Sequence, residues 1–189
     1  MGPADQTSWW PLANTLADRG YEVLTFDERG YCPHGLAGCS AGDPRDITDI
    51  WSDVEGGVAW LGAHGAKTIV AVGASQGASA SFVAASHPRS RIDAVVWLSG
   101  TDALFISESE RISAAVRVPK LFVTGRDDLR VLGPTRYVFA HTPEPKELHV
   151  LPTAAHGTDM LVEAVAGAAV AREAGDLVIG FLARYAPAG

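Results

Sequence analysis

Cysteine is scarce in this chain: two in 189 residues, Cys32 and Cys39, seven apart in a Gly-rich stretch. They read as two free thiols, with a disulfide between them as the alternative, and no Cys/His spacing of a metal site occurs. Basic clusters are missing as well. Lys and Arg number 15 against 22 Asp and Glu, a formal net charge of −7, which argues against nucleic acid or an anionic membrane as the main partner. No apolar run reaches the roughly 18 residues that a membrane-spanning helix needs, so the sequence reads as a soluble protein. Charged residues make up only 20%, against 47% hydrophobic, and with 20 glycines this excludes a disordered or fibrous chain. Repeats and linkers are lacking too, so residues 1–189 read as one domain, a length ample for a buried core. The opening Met1-Gly2-Pro3-Ala4-Asp5-Gln6 is neither a signal peptide nor a strand, which leaves the cytoplasm as the expected location.

What is present is an alternation of short apolar runs with stretches of helical period. A first helix is expected from Thr7 or Ser8 to Gly20, and Tyr21–Phe26 reads as a strand ending at Asp27. Residues 28–45 read as a loop. A helix follows, with Asp43 as its N-cap, Pro44 in its first turn, and an apolar stripe of Ile47, Ile50, Trp51, Val54, Val58 and Leu61. Asp46, Asp49 and Asp53 share its other side, which reads as a solvated face rather than a metal site. Further strands are expected at 68–72, 92–98, 120–124 and 146–151. A small-residue helix spans 76–86, residues 102–118 are short and mixed, and a helical tail from about Thr158 is expected in two pieces, given Gly167 and Gly175. This is the pattern of an α/β fold, a mostly parallel sheet with helices on both faces.

Gly73-Ala74-Ser75-Gln76-Gly77 falls where a strand turns into a helix. Gly-x-Ser-x-Gly is a short string and its context gives it weight. A sharp turn at the end of a parallel strand lifts the serine hydroxyl above the sheet edge, and small neighbours let the backbone pass. The N–H of Gln76 then points into the same space from a helix N-terminus. An ordinary Gly-rich turn is the competing reading. A serine nucleophile needs a base, and the base needs an acid to orient it. Of six histidines, His156 follows the last strand and precedes a helix, which places it on the carboxyl edge with Ser75. His149 lies inside a strand, His87 precedes a helix-ending proline, and His34, His64 and His141 occupy early or polar loops. For the acid, Asp127 and Asp128 follow the preceding strand and Asp102 an earlier one.

With Ser75, then an Asp, then His156 in that order, the chain resembles the α/β-hydrolase family over essentially its whole length. The resemblance implies that the acid lies three residues after the glycine closing its strand, which selects Asp128 over Asp127. Leu16–Tyr31 looks like the family's fourth strand and following loop, with Cys32-Pro33-His34-Gly35 departing from the usual Gly-x-Ser continuation. The tail from Pro145 to Met160 is similar to the dienelactone-hydrolase and small-esterase branch. Met1-Gly2-Pro3 looks like the end of that family's His-Gly-x-Pro segment, with Trp9 at its helix aromatic. The resemblance therefore implies that Gly2 (or Met1) is a backbone oxyanion donor beside Gln76, and that strands one to three of the family are missing. A natural protein that is longer upstream is the resulting expectation, and a signal peptide lost there would make it secreted. Residues 100–118 are too few for a large lid, so the expected site is shallow and open.

The expected function is hydrolysis of small or accessible carboxylic esters by a serine hydrolase without a cofactor. An acyltransferase or peptidase using the same three residues, or a non-catalytic remnant of the fold, are the alternatives.

Overall fold

The computed structural model describes residues 5–31 and 48–188. Among them, four short strands form one sheet in the order β1 (Val70–Ala74), β2 (Ala94–Leu98), β3 (Lys120–Gly125), β4 (Lys146–Leu151). All neighbours run parallel, with Ala74 opposite Leu98, Trp97 opposite Phe122 and Phe122 opposite Leu148. Ahead of the sheet come a 3₁₀ turn at Gln6–Trp9, α1 (Trp10–Ala17) and α2 (Ile50–Ala63). The first crossover carries α3 (Gln76–Ser86), and the second a 3₁₀ turn at Ile106–Glu108 and α4 (Ser109–Ala115). The third carries α5 (Leu129–His141), after which β4 leads into a 3₁₀ turn at Gly157–Leu161, α6 (Glu163–Ala166) and α7 (Ala168–Tyr185).

Of the parallel strands, β2, buried along its whole length between β1 and β3, is apolar throughout, whereas the edge strand β4 carries Lys146, Glu147 and His149 and is mostly half-buried. Val96 and Leu98 of β2 face one layer, where Leu12 and Leu16 of α1 meet Val178, Phe181 and Leu182 of α7. Val95 and Trp97 face the other, against Phe82 of α3 and Val138 of α5. Phe82 and Trp97 meet edge to face with centroids 5.0 Å apart, and neither has any exposed surface. Burying an aromatic of this kind contributes about 1.5–3 kcal/mol. The expected α/β architecture is the one found, and the β2–β3 connection holds only a 3₁₀ turn and a seven-residue helix.

Three elements depart from expectation. Tyr21–Phe26 joins no ladder, because β1 pairs only with β2 among the described residues. Leu24 and Phe26 pack over Gly57 of α2 instead, and Val23 and Phe26 stay 38% and 39% exposed. Second, α5 went unforeseen because Gly133 and Pro134 sit in its middle, where proline removes a backbone donor. Burial of Val131, Thr135 and Val138 at helical spacing outweighs that loss. Third, Gly175 does not break the tail. The break falls at Gly167, whose φ of +83° suits glycine, while α7 runs on through Gly175 on its buried Val170, Ala171, Ala174 and Val178. The expected cap at Asp43, with Pro44, Asp46 and Ile47, lies outside the described residues, and α2 begins at Ile50.

At the amino end of the sheet, Lys120 and Lys146 stand opposite each other in register. Lys120 is fully buried and its Nζ donates to the carbonyl of Pro143 at 2.8 Å. Lys146 Nζ donates to the carbonyls of Phe139 and Thr142 at the end of α5, at 2.9 and 2.7 Å. Burial, with Lys146 nearby, lowers the Lys120 pKa to about 8.

Candidate active site

The chain passes from β1 into α3 through one residue. Ser75 has φ 52° and ψ −118°, a conformation that costs a non-glycine residue about 1–3 kcal/mol. It is held on both sides: its N–H donates to the carbonyl of Leu98 at 3.0 Å, and its own carbonyl accepts from Ala78 at 3.2 Å. The turn is so tight that a Cβ on Gly73 would collide with the backbone carbonyl of Gly77. A Cβ on Gly77 would come within 3.3 Å of Glu28 Oε1. Gly73 is thus demanded by close approach, whereas a side chain at Gly77 would need the Glu28 side chain to shift by a few tenths of an ångström. Gln76 opens α3, where first-turn N–H groups have no acceptor within the helix. Burial, and then the charge of Asp53, hold the Glu28 carboxyl above its usual pKa.

His156 lies between β4 and the 3₁₀ turn that follows. Its Nδ1 donates to Asp128 Oδ2 at 2.6 Å, a charge-assisted bond between groups 19% and 3% exposed. That bond fixes the tautomer of a neutral imidazole, leaving Nε2 as an acceptor. Nε2 is buried and hydrogen-bonded to none of the described residues. Gly157 has φ +59°, and a Cβ there would stand 3.3 Å from Ala74 Cβ and 4.0 Å from the Ser75 nitrogen. The residue after His156 is therefore packed directly on the serine turn. Asp128 immediately precedes α5, and the loop carrying it is tied to the end of β4. Arg126 N–H donates to Leu151 at 2.7 Å and Asp127 N–H to Thr153 at 3.0 Å. These bonds set the spacing between the acid and His156.

The structure brings Ser75, Gln76, Asp128 and His156 to one edge of the sheet. Asp127 points away, with Arg126 3.4 Å from its carboxylate. Asp102 accepts from Ser109 at 3.4 Å rather than meeting a histidine. His87 pairs with Glu55 at 2.7 Å, His149 lies 3.7 Å from Glu147, and His64 and His141 bond backbone carbonyls in their own helices. Gly2, Met1, His34 and both cysteines lie outside the described residues.

The sequence reading missed one member of this region. Asp53, expected on a solvated face, takes the guanidinium of Arg29 at 2.8 and 2.9 Å and the Arg29 N–H at 2.8 Å. Among the described residues, no three His, Cys, Asp or Glu side chains gather as a metal would require. None of their helices is long and apolar enough to cross a membrane.

The model of the alpha/beta hydrolase fold family matches residues 2–124, about two thirds of the chain. This protein belongs to that family. A dienelactone hydrolase from Anabaena variabilis is 25% identical over 71% of this chain, with a TM-score of 0.56, and the chain spans 61% of that enzyme's length. An esterase from Pyrococcus furiosus, 20% identical, superposes over 93% of this chain and 76% of its own with a TM-score of 0.71. A Paleococcus ferrophilus monoacylglycerol lipase, 12% identical, covers 97% and 91% with a TM-score of 0.77. No curated protein sequence matches the chain.

Proposed function

We propose that this protein is a serine hydrolase of carboxylic esters with small or accessible acyl groups. Ser75 Oγ attacks the ester carbonyl while His156 Nε2 accepts its proton, and Asp128 stabilises the imidazolium that forms. The N–H groups of Gln76 and Gly2 hold the oxyanion of the tetrahedral intermediate. Collapse breaks the carbon–oxygen bond to the alcohol, which leaves with the proton from His156. Water, deprotonated by His156, then attacks the acyl-Ser75 ester, and release of the carboxylic acid restores the serine. No cofactor enters these steps.

The observation that carries this reading is the His156–Asp128 bond at 2.6 Å on a loop seated against the Ser75 turn. A carboxylate and an imidazole so paired beside a strained serine meet the requirements of acyl transfer. The esterase, lipase and dienelactone hydrolase among the relatives support an ester as the substrate class. The short β2–β3 connection favours accessible acyl groups over long buried ones. Turnover of p-nitrophenyl acetate by wild type and Ser75→Ala tests it: loss of turnover in the folded variant is expected, and retained turnover overturns the assignment.

A further inference from the structure

Among the described non-glycine residues, Ser75 and Ser99 take a left-handed φ, 52° and 45°. They stand side by side, because Ala74 of β1 is opposite Leu98 of β2 and each serine is the next residue. Glycine enters this region freely and a residue with a Cβ does so at a cost, so Ser99 stores strain beside the serine turn, as residues at reacting centres do. Neither Ser99 nor Met160 has any exposed surface, and the Ser99 hydroxyl donates to Met160 Sδ at 3.8 Å. Met160 lies in the Gly157–Leu161 turn, which Asp159 ties to His156 by donating to its carbonyl at 3.1 Å. On the backbone side, Ser99 follows the Leu98 carbonyl that receives the Ser75 N–H, and its own N–H donates to Val123 of β3 at 2.8 Å. The next two residues reach further elements. Thr135 of α5, the helix that Asp128 precedes, donates to the Gly100 carbonyl at 3.2 Å, and Ser79 of α3 donates to the carbonyl of Thr101. Residues 98–101 are therefore bonded to the serine turn, to the helix after Asp128 and to the turn after His156.

We propose that Ser99 is a positioning residue for the reacting centre, its backbone bracing the serine turn and its hydroxyl the turn behind His156. The inference rests on the proposed roles of Ser75 and His156. A thioether sulfur is a weak acceptor, so the bond contributes little to folding. Its effect is geometric. The nucleophile and its base must meet at hydrogen-bond distance, and a displacement of about 1 Å at a reacting pair can cost about 100-fold in rate.

The test measures p-nitrophenyl acetate turnover and thermal melting of Ser99→Ala, Ser99→Gly, Met160→Leu and the double variant Ser99→Ala/Met160→Leu. Loss of the hydroxyl is expected to lower kcat about 3–30-fold, as a displacement of less than an ångström would, with KM within about twofold of wild type. Ser99→Gly should show the same kcat loss while melting no lower than Ser99→Ala, since glycine accepts the left-handed φ. A residue that only supported the fold would change the melting temperature and leave kcat of the folded enzyme alone. Met160→Leu keeps the volume, removes the acceptor and should match Ser99→Ala. Because both changes act through one contact, the double variant should lose no more than about twofold beyond either single change. Wild-type kcat in Ser99→Ala, a rise in KM alone, or losses that multiply in the double variant overturn the proposal. Should Ser99→Ala fail to fold, Ser99→Gly decides: a kcat loss at steady KM supports the positioning role, and wild-type kcat overturns it. Ser75→Ala separates the two readings. Turnover retained there brings down ester hydrolysis by Ser75. An inactive Ser75→Ala beside fully active Ser99→Ala and Met160→Leu brings down the positioning role alone.

Discussion

His156 and Asp128 meet across the carboxyl edge of the sheet at 2.6 Å, and the neighbouring Asp127 takes no part in the contact. Asp128→Asn keeps the shape but offers an amide in place of the acceptor, which favours the wrong imidazole tautomer. The corresponding change in a Ser-His-Asp enzyme lowers kcat about 10⁴-fold, and a loss of about 10²–10⁴-fold is expected here. Asp127→Asn should stay within about twofold of wild type. Ester turnover by the two variants side by side checks the assignment.

Gly157→Ala introduces a side chain at φ +59° and against Ala74. The left-handed conformation costs a residue with a Cβ about 1–2 kcal/mol, and the chain can relieve it only by moving His156 off the serine turn. Thermal melting should show the stability loss. The kcat should fall further than that loss explains, because the displaced group is the proposed base.

Gly73→Ala is expected to be worse for folding than for chemistry. Its Cβ meets the rigid backbone of the α3 first turn rather than a side chain that could swing aside. Soluble yield and the denaturation midpoint should drop sharply. A wild-type midpoint would mean that the serine turn is looser than described.

Lys120 supplies a pH signature unrelated to catalysis. Its pKa is about 8 in the folded protein, below the ordinary lysine value of 10.5 that the unfolded chain shows. Between those values the unfolded state binds more protons, so this group makes stability rise as pH increases. Lys120→Met removes the titration. The stability of wild type relative to the variant should grow by roughly 1–3 kcal/mol from pH 8 to 10.5, measured by urea denaturation.

Local chemistry makes the serine turn legible in the sequence. Gly73, Ser75 and Gly77 stand at the spacing a strand-to-helix reversal needs, and β4 falls on the residues 146–151 expected for the last strand. The position of His156 followed from chain order alone. Ladder pairing is a non-local property, so the apolar run of Tyr21–Phe26 reads as a strand whether or not a partner is present. The Arg29–Asp53 pair is hidden for the same reason, its members being 24 residues apart. Gly133 and Pro134 concealed α5, because helix propensity is overridden where Val131, Thr135 and Val138 bury together.

Intact and peptide mass spectrometry after exposure to a fluorophosphonate ester probes the proposed nucleophile most directly. The reagent transfers its phosphonyl group only to a serine whose proton is taken by a neighbouring base. Stoichiometric labelling mapped to Ser75, lost in His156→Ala, is the expected result. A folded protein that stays unlabelled, or carries the label on another serine, would contradict ester hydrolysis by Ser75.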